Sequence, residues 1–257
     1  MNHKIILVII AIVCVLGVLS RIDKDDKKGK SQPKAAQSNP RDTKNSISPS
    51  AYVSRGIEYS ENGNNSTAIQ NFNKAIEINP KYAEAYYCRG AVYYEMGDYD
   101  SAIRDFSKVI ELGAEDAGAY IGRGNAYRDK GNRDAALRDY NKAIVLDPKD
   151  VLIYVNRGVM HRMNDNYDAA VKDFSKAIEL DPKDATNYFW RGDANGCNHD
   201  FDAAIRDFNK AIQLEPRFAE AYLNRGRAYY SKGNHDAARR DIEKAAKLNP
   251  KFAKWLE

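Results

Sequence analysis

From residue 49 onward, aromatic and aliphatic positions recur at helical spacing in two alternating blocks, and the pair of blocks returns every 34 residues. The copy from Ala83 to Asp116 shows the pattern most plainly. Tyr86, Tyr87, Gly90, Tyr93 and Tyr94 share one face of a first helix, and Gly97-Asp98 ends it. Ala102, Ile103, Phe106, Val109 and Ile110 then recur at intervals of three and four. That spacing predicts a second amphipathic helix, with Asp100 as its N-cap. In five copies a proline follows (Pro80, Pro148, Pro182, Pro216, Pro250) and forces the chain out of the second helix; the second copy uses Gly113-Ala114.

One phrase marks every copy. Tyr-x-x-Arg-Gly stands at 52–56, 86–90, 120–124, 154–158, 188–192 and 222–226. Its Gly and the small residues Ala68, Ala102, Ala136, Ala170, Ala204 and Ala238 let facing helices approach closely. Phe72, Phe106, Tyr140, Phe174 and Phe208 fill the seam to the next pair. A single helix pair cannot bury both faces, so the copies must stack. The expected fold class is all-α, a right-handed α-solenoid of antiparallel helix pairs. Its repeats span 49–82, 83–116, 117–150, 151–184, 185–218 and 219–252, and 253–257 form a terminal cap.

This arrangement resembles the tetratricopeptide repeat family, whose pattern places aromatic, Gly, Tyr, Ala, Phe, Ala and Pro positions along 34 residues. The first copy carries the resemblance in Tyr52, Gly56, Tyr59, Ala68, Phe72, Ala75 and Pro80. Departures cluster in the fourth and fifth copies. His161 and Asn195 replace the second Tyr, and Asp165 and His199 replace the turn Gly.

A further departure recurs in all six copies. Where the family pattern has Leu, this chain has Arg55, Arg89, Arg123, Arg157, Arg191 and Arg225. Asp105, Asp139, Asp173, Asp207 and Asp241 follow five of these by sixteen residues, with Asn71 as the exception. A guanidinium in a packed seam needs a partner, so the spacing predicts a ladder of Arg–carboxylate pairs between helices.

The resemblance implies that first helices line a groove that binds peptide segments or protein partners. Groove positions follow each repeat's Tyr by one, five and eight residues, and include Tyr87, Val155, Ile121, Phe189 and Leu223 in the apolar first row. Asn125 and Arg227 stand in the second row, and Tyr94, Arg128, Arg162 and Tyr230 in the third. An exposed apolar row marks an interaction surface; the alternative is that this row packs between adjacent first helices. One sub-type of the family clamps a chaperone's terminal carboxylate with Lys and Asn. Asn125 and Asn156 stand at two of those five positions, but Ile121, Thr186 and Trp190 replace the cations, which argues against such docking.

The first 48 residues differ in kind. Ile5 to Ser20 is uncharged and mostly Ile, Leu or Val, bounded by Lys4 and Arg21. Sixteen such residues rise about 24 Å as a helix, a little short of a ~30 Å hydrocarbon core. An uncleaved membrane anchor, a cleaved export signal and a lipoprotein signal ending at Cys14 all fit this stretch; bulky Val13 speaks against the last. Orientation is contested. The basic residues from Arg21 to Lys34 favour a cytoplasmic array, while the order of charge and apolar run favours export. Residues 21–48 read as a polar, disordered linker.

Charge follows the same division. Residues 1–48 carry a formal +5, which leaves −1 on the remainder of a chain whose total is +4. A nearly neutral array is no nucleic-acid grip. Cys14, Cys88 and Cys197 lack the spacing of a disulfide framework. No phosphate loop, metal-ligand set, nucleophile elbow or paired acids appear, so no catalysis, cofactor or metal is expected. Asp100, Asp134, Asp168, Asp202 and Asp236 each precede a basic residue by four, which suits pairing along one helix surface. The expected function is a non-catalytic scaffold, tethered to a membrane or exported, that binds a protein or peptide partner. The alternative is a structural stack that self-associates through its terminal repeats.

Overall fold

The computed structural model describes residues 47–113 and 116–255. Among them lie twelve α-helices and one terminal 3-10 turn, and no strand. The chain divides into two units, ending at Gly131 and beginning at Asn132. Unit 1 holds α1 (Pro49–Glu61), α2 (Asn65–Ile78), α3 (Ala83–Glu95), α4 (Tyr99–Glu111) and α5 (Ala117–Asp129). Unit 2 holds α6 (Arg133–Leu146), α7 (Val151–Met163), α8 (Tyr167–Leu180), α9 (Ala185–Cys197), α10 (Phe201–Leu214), α11 (Ala219–Ser231), α12 (His235–Leu248) and the turn Pro250–Trp255. Each unit is a run of helix pairs in which every helix packs on its neighbour in sequence. The fold class is all-α, tandem helix pairs of the solenoid kind.

The turn within each repeat is built the same way six times. One residue takes a left-handed backbone: Gly63, Gly97, Gly131 and Gly233 in four repeats, Asp165 and His199 in the other two. The residue after it caps the second helix. Asn64, Asp98, Asn132, Asn166, Asp200 and Asn234 each accept a hydrogen bond from the backbone N–H three residues on. The N-cap in the second copy is therefore Asp98. Asp100 lies inside the first turn, because the left-handed Gly97 already closes α3 and leaves Asp98 at the helix mouth.

Buried side chains fill the seams between pairs. In unit 1, Val53, Ala68, Phe72, Ala75, Ala85, Cys88 and Val92 form one cluster, and Tyr87, Ala102, Phe106, Val109, Ala119 and Ala126 belong to the next. In unit 2, Phe174 packs with Ala170 and Ala194, and Phe208 with Ala204 and Ala228. The glycine of the signature makes room for these rings. A Cβ on Gly158 would stand 2.9 Å from Phe174 Cε1, and one on Gly192 2.9 Å from Phe208 Cε1.

Surface pairing departs from the one-helix expectation. Asp100 meets Lys130 and Asp202 meets Lys232, in each case thirty residues on, and Asn198 donates to Asp168 at 3.0 Å. These pairs join neighbouring repeats, because an acid in the first turn of a second helix lies beside the end of the following first helix. Three second-helix lysines pair along their own helix: Lys74 with Glu77, Lys108 with Glu111 and Lys176 with Glu179.

The apolar segment 5–20, the linker 21–46 and Leu256 lie outside the described residues. Among the described residues no helix is long and apolar enough to cross a membrane.

Candidate functional site

The signature phrase is a small machine for joining three helices. In α3, Arg89 Nε and Nη2 donate to both carboxylate oxygens of Asp105 in α4, each at 2.7 Å, while Nη1 donates to Asn73 in α2 at 2.5 Å. Arg157 binds Asp173 and Asn141, Arg191 binds Asp207 and Ser175, and Arg225 binds Asp241 and Asn209 in the same manner. Arg123 donates to Ser107 at 3.0 Å. Asp105, Asp139, Asp173, Asp207 and Asp241 are all buried. Hydrogen bonds donated to the carboxylates hold the Arg89, Arg191 and Arg225 guanidinium groups above their ordinary pKa. The tyrosine three residues earlier lies under each guanidinium, at 5.5 Å for Tyr86 and 5.4 Å for Tyr222. In three copies the tyrosine hydroxyl donates to the carbonyl of the preceding inter-repeat proline: Tyr86 to Pro80 at 3.3 Å, Tyr154 to Pro148 at 3.1 Å and Tyr188 to Pro182 at 3.3 Å.

On the first-helix face of unit 1, Tyr87 is buried edge-on against Phe106 at 5.5 Å. Tyr94, also buried, donates its hydroxyl to Asp129 Oδ2 at 2.5 Å. Arg128 completes that cluster with donations to Asp129 at 2.7 Å, to the Tyr94 oxygen at 3.2 Å and to buried Asn125 at 3.4 Å. Ile121 is half-buried.

Unit 2 builds a different cluster on the equivalent face. Arg162 of α7 forms an ion pair with Asp193 of α9 and lies 5.9 Å over the Trp190 ring. Asn224 of α11 donates to the other Asp193 oxygen at 3.1 Å. Burial pushes the Asp193 carboxyl above its ordinary pKa, against the pull of Arg162. Phe189 is wedged among Trp190, Phe208 and Phe218, with its ring 4.9 Å from that of Phe218. Val155 packs beside Phe174, and Leu223 is buried. Arg227 is exposed, 5.3 Å over Trp255, and Tyr230 is 64% exposed.

The apolar first row is therefore not an open surface. Tyr87 and Leu223 are buried and Phe189 is enclosed by rings, because a first helix flanked by other helices turns that position into a seam. What remains open is polar: Arg227 and Tyr230, with the edges of Arg128 and Arg162. Among the described residues no group of three His, Cys, Asp or Glu is placed to hold a metal ion, and Cys88 and Cys197 are free thiols.

A stack of paired helices joined by side-chain rungs, with polar groups on the first-helix face, defines a class of protein-interaction scaffold. The sequence matches the family description "TPR repeat" over residues 56–97 and 124–165, and "Tetratricopeptide repeat" over 83–113, 151–184 and 188–251. The chain belongs to the tetratricopeptide repeat family. No curated protein sequence matches it. Among solved structures, it is similar to MamA at 31% identity and TM-score 0.60, covering 64% of this chain and 96% of that one. It is similar to YrrB, described as "a TPR protein with an unusual peptide-binding site", at 26% identity and TM-score 0.61, covering 70% and 92%. A tetratricopeptide repeat protein from Parabacteroides merdae shares the fold at 20% identity and TM-score 0.67, covering 81% and 87%.

Proposed function

We propose that this chain is a non-catalytic scaffold whose first-helix face binds a peptide or protein partner, with residues 5–20 holding it at a membrane or directing its export. The observation that carries the reading lies on the first-helix face of unit 2. There Arg227 and Tyr230 stand open beside a fixed Arg162–Asp193–Asn224 network. A pre-ordered polar framework with open neighbours lowers the ordering cost of binding. Similarity to YrrB, a protein with a peptide-binding site, supports the same reading.

A displayed random-peptide library panned against the purified chain tests it. The wild type enriches a recurrent sequence class, and Arg227→Ala with Tyr230→Ala abolishes that enrichment while the helical spectrum is unchanged. Equal enrichment by the folded double variant, or none by the wild type, overturns the reading. Fractionation with protease shaving of intact cells tests the export: an array that stays protected in intact cells overturns it.

A further inference from the structure

The side-chain ladder has two loose ends, and they are complementary. Each complete rung within the described residues combines one guanidinium, one carboxylate from its own repeat and one neutral acceptor from the repeat before: Arg89 with Asp105 and Asn73, Arg157 with Asp173 and Asn141, Arg191 with Asp207 and Ser175, Arg225 with Asp241 and Asn209. In the first repeat, Arg55 is exposed, and Asn71 replaces the carboxylate. Among the described residues, Arg55 has no hydrogen-bonding or ionic partner. In the last repeat, the position that supplies Asn73, Ser107, Asn141, Ser175 and Asn209 is taken by Glu243, also exposed. Arg239 and Lys247, one turn to either side of Glu243, form no ion pair with it among the described residues.

We propose that the partner completing these ends is a second copy of this chain, with Arg55 of one copy bonded to Glu243 of another. Such a rung holds Arg55, neutral Asn71 and the Glu243 carboxylate. Its composition is that of every other rung, with the charge moved from one acceptor position to the other. Neither end forms the rung within its own repeat, and the position equivalent to Glu243 serves the arginine of the following repeat in every earlier copy. The contact is heterologous, head to tail, and leaves the same two groups free at the ends of any assembly.

The terminal turn Pro250–Trp255 occupies the place where a next first helix would begin. Asn249-Pro250-Lys251-Phe252-Ala253 repeats the wording of Asn79-Pro80-Lys81-Tyr82-Ala83. That turn buries none of its residues and leaves Trp255 46% exposed, so an incoming α1 displaces it at small cost. This proposal is independent of partner binding on the first-helix face.

Charge exchange in the full chain, held in nonionic detergent, tests it by sedimentation across a concentration series. Wild type associates; Arg55→Glu and Glu243→Arg each weaken association about tenfold or more, as expected when like charges meet at an interface. The double variant carrying both changes recovers wild-type association. A second measurement fixes the register: a chain with Arg55→Cys mixed with one bearing Glu243→Cys forms a disulfide-linked dimer, whereas Arg55→Cys mixed with Lys108→Cys does not. A wild type that stays monomeric, a double variant that remains folded but does not recover, or equal cross-linking in both mixtures overturns the proposal.

Discussion

Arg157 and Asp173, sixteen residues apart, face each other across α7 and α8, with Nε and Nη2 of the one donating to both carboxylate oxygens of the other at 2.9 and 2.6 Å. The same guanidinium reaches back to Asn141 at 2.7 Å, so one side chain ties three helices.

Removing the carboxylate leaves that guanidinium in the seam without its counter-charge. Asp173→Ala lowers unfolding free energy by about 2–3 kcal/mol, less than the ~3–5 kcal/mol of a fully buried broken pair because Arg157 retains some access to water. Arg157→Leu with Asp173→Leu recovers part of the loss. Urea denaturation followed by circular dichroism reads both; a loss under about 0.5 kcal/mol for Asp173→Ala, the size expected at an exposed site, contradicts the ladder's structural role.

The turn position occupied by glycine in four repeats is held by His199 at φ 62° in the fifth. An L side chain there carries a left-handed penalty of about 1–2 kcal/mol, partly offset by the greater unfolded freedom of glycine. His199→Gly therefore raises the melting temperature, despite losing the edge-on contact of His199 with Phe201. A lower melting temperature would mean that the ring contact outweighs the backbone term.

His161 stands where other copies have Tyr93 or Tyr127, and its Nε2 lies 3.9 Å from Asp173 Oδ2. Burial lowers its pKa from 6.5; Asp173 opposes that shift and Arg157 adds to it. A base whose folded pKa is depressed binds its proton less readily when folded. Its stabilising contribution is present above the unfolded value and is lost as pH falls through 6.5 toward the folded value. Wild type thus loses stability relative to His161→Tyr as pH falls below 7, measured by parallel denaturation series. Parallel curves for the two chains would exclude this contribution.

The period and the Arg-to-Asp interval were readable from the sequence because both recur in register. The third member of each rung was equally regular, sixteen residues before each arginine, yet Asn73, Ser107 and Asn141 look like ordinary surface residues of an amphipathic helix. Only the placement of the neighbouring pair reveals them as acceptors. The first row of the groove failed for the opposite reason. Tyr87 and Leu223 carry an apolar signal that is identical for an open wall and a filled seam, and the flanking helices decide between the two. Asp100 illustrates a third limit: spacing along one helix suggested Arg104, but Lys130 of the next repeat is the nearer cation.

Because every rung uses interchangeable parts, array length is free to vary in whole units. Excision of residues 151–184 would hand Asn141 to Arg191, which already accepts a neutral partner of that kind in Ser175. Duplication of the same segment would create one more joint of the same chemistry. Gene-level gain or loss of a copy is thus tolerated by the protein's own wiring, while a deletion of one or two residues breaks the sixteen-residue interval of the joint it falls in.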